Sequence, residues 1–438
     1  MKTTELIDIN QRVPRYTSYP TAPHFHKGVS KEMYCEWLEA LEPRDTLSLY
    51  FHIPYCRKLC WFCGCHTNIA NHYEPIANYL VSLEKEVEIV ARHVTSTVQH
   101  IHFGGGSPTI LKADDFLRFM GSIRQRFTIN PNAEIAVEMD PRTVDERKIA
   151  AYAQSGVTRA SLGVQDFNPR VQKAINRVQS YALVRRVGET LRTKGINALN
   201  LDLIYGLPFQ TLKSITQTIE QTLSLEPSRI SLFGYAHVPW MKKHQKLVPE
   251  EALPDSEQRR SMYEYAASLL KDAGYIAIGL DHFAQPHDDL VLSIKDKTLQ
   301  RNFQGYTTDT AKALIGMGVS AISSLPQGYA QNTNSGLDYA QIINEEGLPL
   351  MRGIVLTEED KLRRDIIMSL MCTMEAPLDS MLYSEEIALL KPHLETREAS
   401  YEDGMLKVHP SARNRLRLIA SIFDRYLTTT NHRYSHGS

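Results

Sequence analysis

The sequence predicts an α/β fold, a parallel sheet with helices outside it, on three observations. From Thr46 onward, short apolar runs alternate with longer segments of helical period, the pattern that repeated βα units produce. Six such runs follow one another. At or just past the carboxyl end of each run stands a residue or motif unusual for a plain connection, and functional groups of parallel α/β folds gather at those ends.

The expected strands are Leu47–Ile53, His100–Phe103, Glu134–Glu138, Arg159–Gly163, Asn197–Leu203 and Arg229–Tyr235. Between the first two, Tyr79, Leu80, Leu83, Val87, Val90 and Val94 recur at helical spacing, with Pro75 suited to the first turn. Further helices are expected over Ala113–Phe127, Val144–Ala153, Tyr181–Lys194 and Leu212–Leu225. Pattern alone does not separate an open sheet from a barrel. The features at the strand ends are a cysteine loop, Gly104-Gly-Gly-Ser-Pro108, Glu138, Gln165, Asp202 and Ala236. They point to one rim.

Residues 1–45 form an N-terminal extension carrying Pro14-Arg-Tyr-Thr-Ser-Tyr-Pro20, whose prolines disfavour helix. Residues 46–355 are expected to form the catalytic domain, and 356–438 a small, mostly helical C-terminal domain. In that domain Glu358–Met374 and Arg413–Tyr426 read as helices. Glu402-Asp-Gly404 reads as a hairpin turn between Glu398–Tyr401 and Met405–Val408.

Lys+Arg of 49 against Asp+Glu of 50 gives a net charge of −1, so bulk charge draws the protein neither to nucleic acid nor to an anionic membrane. The start, Met1-Lys-Thr-Thr-Glu, lacks the apolar core of a signal peptide, and no apolar run nears the roughly 20 residues that span a bilayer. A cytoplasmic protein without a membrane span or nucleic-acid partner is expected.

Four of the six cysteines fall in one stretch, Cys56-Arg-Lys-Leu-Cys60-Trp-Phe-Cys63-Gly-Cys65; the others are Cys35 and Cys372. A large cytosolic chain is not a disulfide scaffold, and such clustering points to metal or redox chemistry. A cubane [4Fe–4S] cluster takes cysteine thiolates as its usual ligands. Cys56, Cys60 and Cys63 suit three corners, which leaves one iron for the amine and carboxylate of an amino acid such as S-adenosylmethionine (SAM). Structural zinc usually takes two separated cysteine pairs, and there is no second pair here. The glycines after the second strand let backbone N–H groups approach a ligand closely.

The Cys-x3-Cys-x2-Cys spacing is the radical-SAM signature. The longer string Tyr50-Phe-His-Ile-Pro-Tyr-Cys56, with Cys65, resembles the oxygen-independent coproporphyrinogen III oxidases. Similar strings are His102-Phe-Gly-Gly-Gly-Ser-Pro-Thr109, Glu138-Met-Asp-Pro141, Gly163-Val-Gln-Asp-Phe167, Asn200-Leu-Asp-Leu-Ile-Tyr-Gly-Leu-Pro208 and Arg301-Asn-Phe-Gln-Gly-Tyr-Thr-Thr308. The likeness covers nearly the whole chain and weakens after about Leu356.

The resemblance implies a partial (β/α)6, TIM-like radical-SAM barrel holding one [4Fe–4S] cluster and two SAM molecules. It implies conversion of coproporphyrinogen III to protoporphyrinogen IX for haem biosynthesis by 5′-deoxyadenosyl radical chemistry, two propionates becoming vinyl groups with loss of carbon dioxide. Carried over by position, the first SAM would touch Tyr50, Gly105, Glu138 and Ile322. The second would touch Phe62, Gly106, Ser107, Gln165, Arg177, Asp202 and Ala236. Ser107 stands where the family often has Thr, and either supplies a hydroxyl. Cys65 is expected to be a thiol of the reaction space and not a ligand, because a fourth thiolate would close the iron that SAM needs.

The four substrate carboxylates call for cations, with Arg15, Arg57, Lys58, Arg301 and Arg352 as candidates. The protein is expected to be a monomer that uses an electron donor and an electron acceptor its sequence does not identify. Two other readings compete with this one. The haem-chaperone branch of the superfamily typically lacks the fourth cysteine and the Pro14–Pro20 string, both present here. A zinc-binding adaptor would be colourless, whereas a cluster protein is brown.

Overall fold

The structure, a computed structural model, describes residues 13–345 and 347–427. Six strands run parallel and pair in chain order: β1 (Thr46–Ile53), β2 (Thr97–Gly105), β3 (Ile129–Met139), β4 (Arg159–Gln165), β5 (Ala198–Tyr205) and β6 (Arg229–Gly234). The helices between them are α1 (Glu74–Ala91), α2 (Ala113–Arg126), α3 (Glu146–Gln154), α4 (Tyr181–Thr193) and α5 (Leu212–Leu223). Each expected strand and helix is present, with ends that differ by a few residues.

Period-two burial sets the two faces of the sheet. In β1, Leu47, Leu49, Phe51 and Ile53 are buried among the residues that pack the sheet on the helices. Ser48, Tyr50 and His52 alternate with them and point the other way. The inner face is polar all round: Tyr50 and His52, His102, Glu138, Ser161, Asn200, Asp202 and Ser231 occupy successive strands. At its amino-terminal end, Arg159 Nε binds Glu134 at 2.9 Å and Arg229 Nε binds Asp288 at 2.7 Å. These buried ion pairs lie at the end of the strands opposite the cysteine loop.

The sheet does not close on itself. Beyond β1, Ala313–Met317 adds in parallel, and Ile322–Leu325, Gly328–Asn332 and Leu350–Val355 then add antiparallel. Beyond β6, His282–Ala284 and Ile276–Ile278 complete twelve strands with two separate edges. This is a partial barrel with six βα units. Among the described residues no helix is long and apolar enough to cross a membrane.

The C-terminal region packs helix Glu358–Thr373 on a three-stranded sheet. Ala399–Glu402 and Met405–Val408 pair antiparallel around Asp403 and Gly404, whose φ angles of 51° and 73° fit a two-residue hairpin turn. The expected helix over Arg413–Tyr426 is shorter. Regular α-structure spans only Leu416–Ser421, preceded by the 3₁₀ turn Pro410–Arg415. After it, Phe423 N and Asp424 N bond back three residues, and Asp424 Oδ2 accepts the Tyr16 hydroxyl at 3.0 Å. That contact ties residue 424 to the N-terminal segment and ends the helix. Tyr16 and Tyr19 are fully buried in the core of the C-terminal region.

Candidate active site

The cysteine loop leaves β1 at the rim, and its thiols turn inward. Cys56, Cys60, Cys63 and Cys65 line one cavity of about 220 Å³ together with Phe62, Gly105, Gly106, Ser107, Glu138, Gln165, Arg177 and Asp202. Every thiol is free. The cavity touches the ends of β2 to β6, so the sheet curls around it.

The loop is held by hydrogen bonds from outside itself. Trp61 N donates to Ile175 O at 3.0 Å, and Asn176 Nδ2 donates to Leu59 O at 2.8 Å. From the other side, Lys242 Nζ, His244 Nε2 and Gln245 Nε2 reach the carbonyls of Cys65, Cys63 and Phe62 at 3.0, 2.8 and 2.9 Å. Hydrogen bonds from two sides thereby fix the loop that carries the three cysteines.

The donor set fits a cubane. Burial pushes the Cys56 thiol up to about 11, and the neighbouring Cys63 and Cys60 add to it, against a hydrogen bond from Thr67. A thiol so placed ionises only with a cation beside it, as iron would supply. The hydrogen bond from Cys65 lowers Cys63. Among the described residues no three His, Cys, Asp or Glu side chains converge closely enough to share one metal ion. A cube takes its thiolates at different corners, which three cysteines of one short loop can supply.

Each remaining site residue has a structural position. Glu138, on β3, accepts from His102 Nε2 at 3.1 Å and from Gly105 N at 3.2 Å. Tyr50 stacks on His102 with ring centroids 5.8 Å apart, and its hydroxyl lies 3.0 Å from His52 Nδ1. Burial, and after it the Glu138 charge, raises the Tyr50 phenol well above its ordinary range. A Cβ on Gly106 would stand 2.8 Å from Tyr55 O and 2.5 Å from Thr67 Oγ1, so only glycine lets this turn lie against the loop. Ser107 Oγ pairs with Thr109 Oγ1 at 2.8 Å.

Asp202 receives hydrogen bonds from Ser161 Oγ and Asn200 Nδ2, both at 2.7 Å. Burial lifts its carboxyl above the ordinary range, and the Glu138 charge adds to that. Gln165 ends β4 with φ of 68°, a strained backbone for a residue with a side chain. Such strain persists where the surroundings fix it, often at a ligand site.

Arg177 is buried and not a surface side chain: Nη2 donates to Gly163 O at 2.6 Å, and Nη1 lies 3.4 Å from Asp140 Oδ2. Its Nε has no hydrogen-bond partner among the described residues.

Three of the expected contacts lie off the cavity wall: Tyr50, which stacks on His102, Ile322 and Ala236. Ile322 flanks it through Gly316, which pairs with Tyr50 and whose Cβ would meet Ile322 O at 2.5 Å. Ala236 follows Tyr235, whose ring packs with Phe62 in a small apolar cluster. The five candidate cations do not all converge: Arg301 Nη2 donates to Arg15 O at 3.4 Å, and the other three lie elsewhere. Lys58 lines the cavity, Arg57 Nη1 donates to Ala70 O at 3.0 Å, and Arg352 Nε donates to Gln331 Oε1 at 2.7 Å. Arg15 Nη2 donates to Gly234 O at 2.9 Å, and Arg301 stacks on Tyr306 at 4.4 Å.

Sequence reasoning passed over Asp140, Arg142 and Thr67. Arg142 clasps Asp140 through Nε and Nη2 at 2.9 and 2.7 Å. Burial alone would raise the Asp140 carboxyl, but Arg177 and Arg142 outweigh it and hold it below the ordinary range. Thr67 Oγ1 donates to Cys56 Sγ at 3.3 Å. The signal for Asp140 and Arg142 was their place directly after Glu138 at the end of a strand; nothing local marked Thr67.

Comparison with known proteins agrees with this geometry. Residues 50–222 match the model of the Radical SAM superfamily. The chain is 46% identical over 430 residues to an oxygen-independent coproporphyrinogen III oxidase of Bradyrhizobium diazoefficiens, covering 95% of each chain. It is 37% identical to that of Escherichia coli, covering 95% of this chain and 94% of the other. The solved structure of the E. coli coproporphyrinogen III oxidase, described as a radical SAM enzyme, superimposes with a TM-score of 0.91. That match has 36% identity and covers 95% of this chain and all of the other.

Proposed function

Because the chain belongs to the oxygen-independent coproporphyrinogen III oxidases of the radical SAM superfamily, we propose that it turns two propionates of coproporphyrinogen III into the vinyl groups of protoporphyrinogen IX, at the cavity ringed by Cys56, Cys60 and Cys63. The observation that carries the reading is the convergence of those three free thiols with Gly105, Gly106, Ser107, Glu138, Gln165, Arg177 and Asp202 on one space.

Cys56, Cys60 and Cys63 would hold the [4Fe–4S] cluster. When bound, the cluster and SAM supply a one-electron cleavage that yields a hydrogen-abstracting 5′-deoxyadenosyl radical. The chain's own residues bind, orient and exclude water. Gly105 and Glu138, with Tyr50 and Ile322 beside them, would seat a first SAM. The Glu138 carboxylate is fixed by His102 and by Gly105 N, so it presents its free lone pairs to an amine or a ribose hydroxyl.

Gly106, Ser107, Gln165, Arg177 and Asp202, with Phe62 and Ala236, would seat a second SAM. The unpartnered Nε of Arg177 offers a donor to an incoming carboxylate. Lys58, on the cavity wall, would meet a substrate carboxylate there. Cys65 faces the same cavity and stays a free thiol. The division into residues 1–45, 46–355 and 356–438, a monomeric state and a cytoplasmic location complete the proposal.

The test is anaerobic reconstitution with iron and sulfide, then SAM, a reductant and coproporphyrinogen III. Protoporphyrinogen IX together with 5′-deoxyadenosine is expected; deoxyadenosine without the porphyrin product rejects this substrate. Equilibrium dialysis of SAM against the reconstituted protein counts the sites, and one SAM per chain rejects the second seat.

A further inference from the structure

The loop between the second and third cluster cysteines has an outer side as well as an inner one. Trp61, bonded to Cys60, borders a shallow groove with Phe209, Leu247 and Pro249, and Arg170 and Lys173 stand on its rim. Leu247 is 57% exposed, and Trp240 and Met241, just before Lys242, are 41% and 66% exposed. An apolar, aromatic surface of this kind is unusual on a face with nothing against it.

Its charge is one-sided. The groove lies between the two segments that clamp the loop, and each contributes exposed cations: Arg170 and Lys173 on one side, Lys243 and Lys246 on the other. Arg57 and Lys58 are exposed on the loop itself. Arg170 lies over the Phe209 ring at 4.1 Å. Among the described residues, Arg170, Lys173, Lys243 and Lys246 have no carboxylate within ion-pair distance. Glu250 and Glu251 follow directly on Pro249 at one edge of the groove, where the Ala252 carbonyl accepts from Phe209 N at 2.9 Å. A chain of net charge −1 thus sets Arg170, Lys173, Lys243 and Lys246 around this groove, with Arg57 exposed on the loop beside it.

We propose that this face docks a small acidic protein that carries single electrons, and that one electron passes from that carrier across Trp61 and Cys60 to the cluster. The carrier is oxidised by one electron and the cluster reduced by one, with no atom exchanged. The proposal rests on Cys60 being a cluster ligand. The inner side of the loop faces the substrate cavity, which leaves the outer side for a macromolecular donor. Exposed aromatic and apolar side chains with an arginine and lysines around them suit a protein interface, and the cations steer an acidic partner toward it.

The test uses the reconstituted enzyme and reduced flavodoxin, an acidic one-electron carrier, as the probe. Charge reversal by R170E, K173E and K246E together should weaken flavodoxin binding in calorimetry and slow bleaching of the cluster absorbance by about tenfold or more. Added salt should produce the same slowing in the unaltered enzyme. Dithionite, which needs no docking, should bleach both at one rate. A control reversal at the exposed Lys391, Arg397 and Lys407 should keep the unaltered rates. Equal rates for enzyme and triple variant with flavodoxin, or equal slowing in the control, overturn the docking face. A reconstituted protein in which dithionite bleaches nothing overturns the cluster reading, and the docking face with it.

Discussion

Arg142 Nη2 stands 3.5 Å from Cys60 Sγ while the same guanidinium holds Asp140. Arg177 Nη1 approaches that sulfur at 3.5 Å from the other side of the carboxylate. One buried carboxylate therefore fixes two cations against a thiolate that the site needs ionised. Removing the carboxylate leaves two buried cations facing each other, and breaking a buried pair costs about 3–5 kcal/mol. Asp140→Asn should lower the urea midpoint of the metal-free protein accordingly. An unchanged midpoint would show that the two arginines do not depend on Asp140.

Arg142→Gln tests the other half of that contact. Cations and N–H donors at a cluster sulfur stabilise the more negative, reduced state. The variant should have a lower cluster reduction potential, on the order of tens of millivolts, in a redox titration followed by electron paramagnetic resonance. A potential equal to that of the parent would assign Arg142 to folding alone.

Cys65 lines the same cavity as the three proposed ligands yet should not hold iron. Cys65→Ser should keep the iron and sulfide content of the reconstituted protein, and serine at Cys56, Cys60 or Cys63 should abolish it. Iron lost from the Cys65 variant would make that thiol a ligand and refute its assignment.

Glu86 predicts a pH dependence of stability. Its carboxyl is buried and pushed up from 4.5 to about 7 by burial, against hydrogen bonds from Tyr339, Gly318 N and Asn332. Its pKa is higher in the folded state, so the folded chain binds more proton than the unfolded one between those values. The contribution to stability is therefore fully present below 4.5 and lost as pH rises through about 7. The loss is at most about 3 kcal/mol. Urea midpoints should fall over that window, and Glu86→Gln should flatten the fall; a variant with the same slope would exclude Glu86 as its source.

What the sequence disclosed follows from the range of the interactions involved. The six barrel strands were legible because both faces are buried or ligand-lined, so Leu47, Leu49 and Phe51 and their counterparts read as short apolar runs. The Asp403-Gly404 turn was legible because it needs positive φ at two adjacent residues. Tyr16 and Asp424 meet across 408 residues, and no local pattern marks such a pair. Distance in sequence likewise hid the reach of Lys242, His244 and Gln245 back to the cysteine loop, whereas the Thr67 bond to Cys56 spans few residues and was hidden because no motif marks that threonine. Cluster ligands and glycines lie in one short string each, whereas the cations for a four-carboxylate substrate come from scattered loops.

Gln165 separates strain from chemistry. Its φ of 68° costs a side-chain-bearing residue about 1 kcal/mol, which glycine does not incur. Gln165→Ala removes the amide and keeps the strain, and Gln165→Gly removes both. Glycine also gains unfolded-state entropy, a loss of about 0.5–1 kcal/mol, so the two terms nearly offset. The glycine variant should thus unfold within about 1 kcal/mol of the parent and be no less stable than the alanine variant. If the amide contacts SAM, as proposed, both should bind it about tenfold more weakly, the value of one lost hydrogen bond. Undiminished SAM binding in both variants would leave Gln165 with a backbone role only.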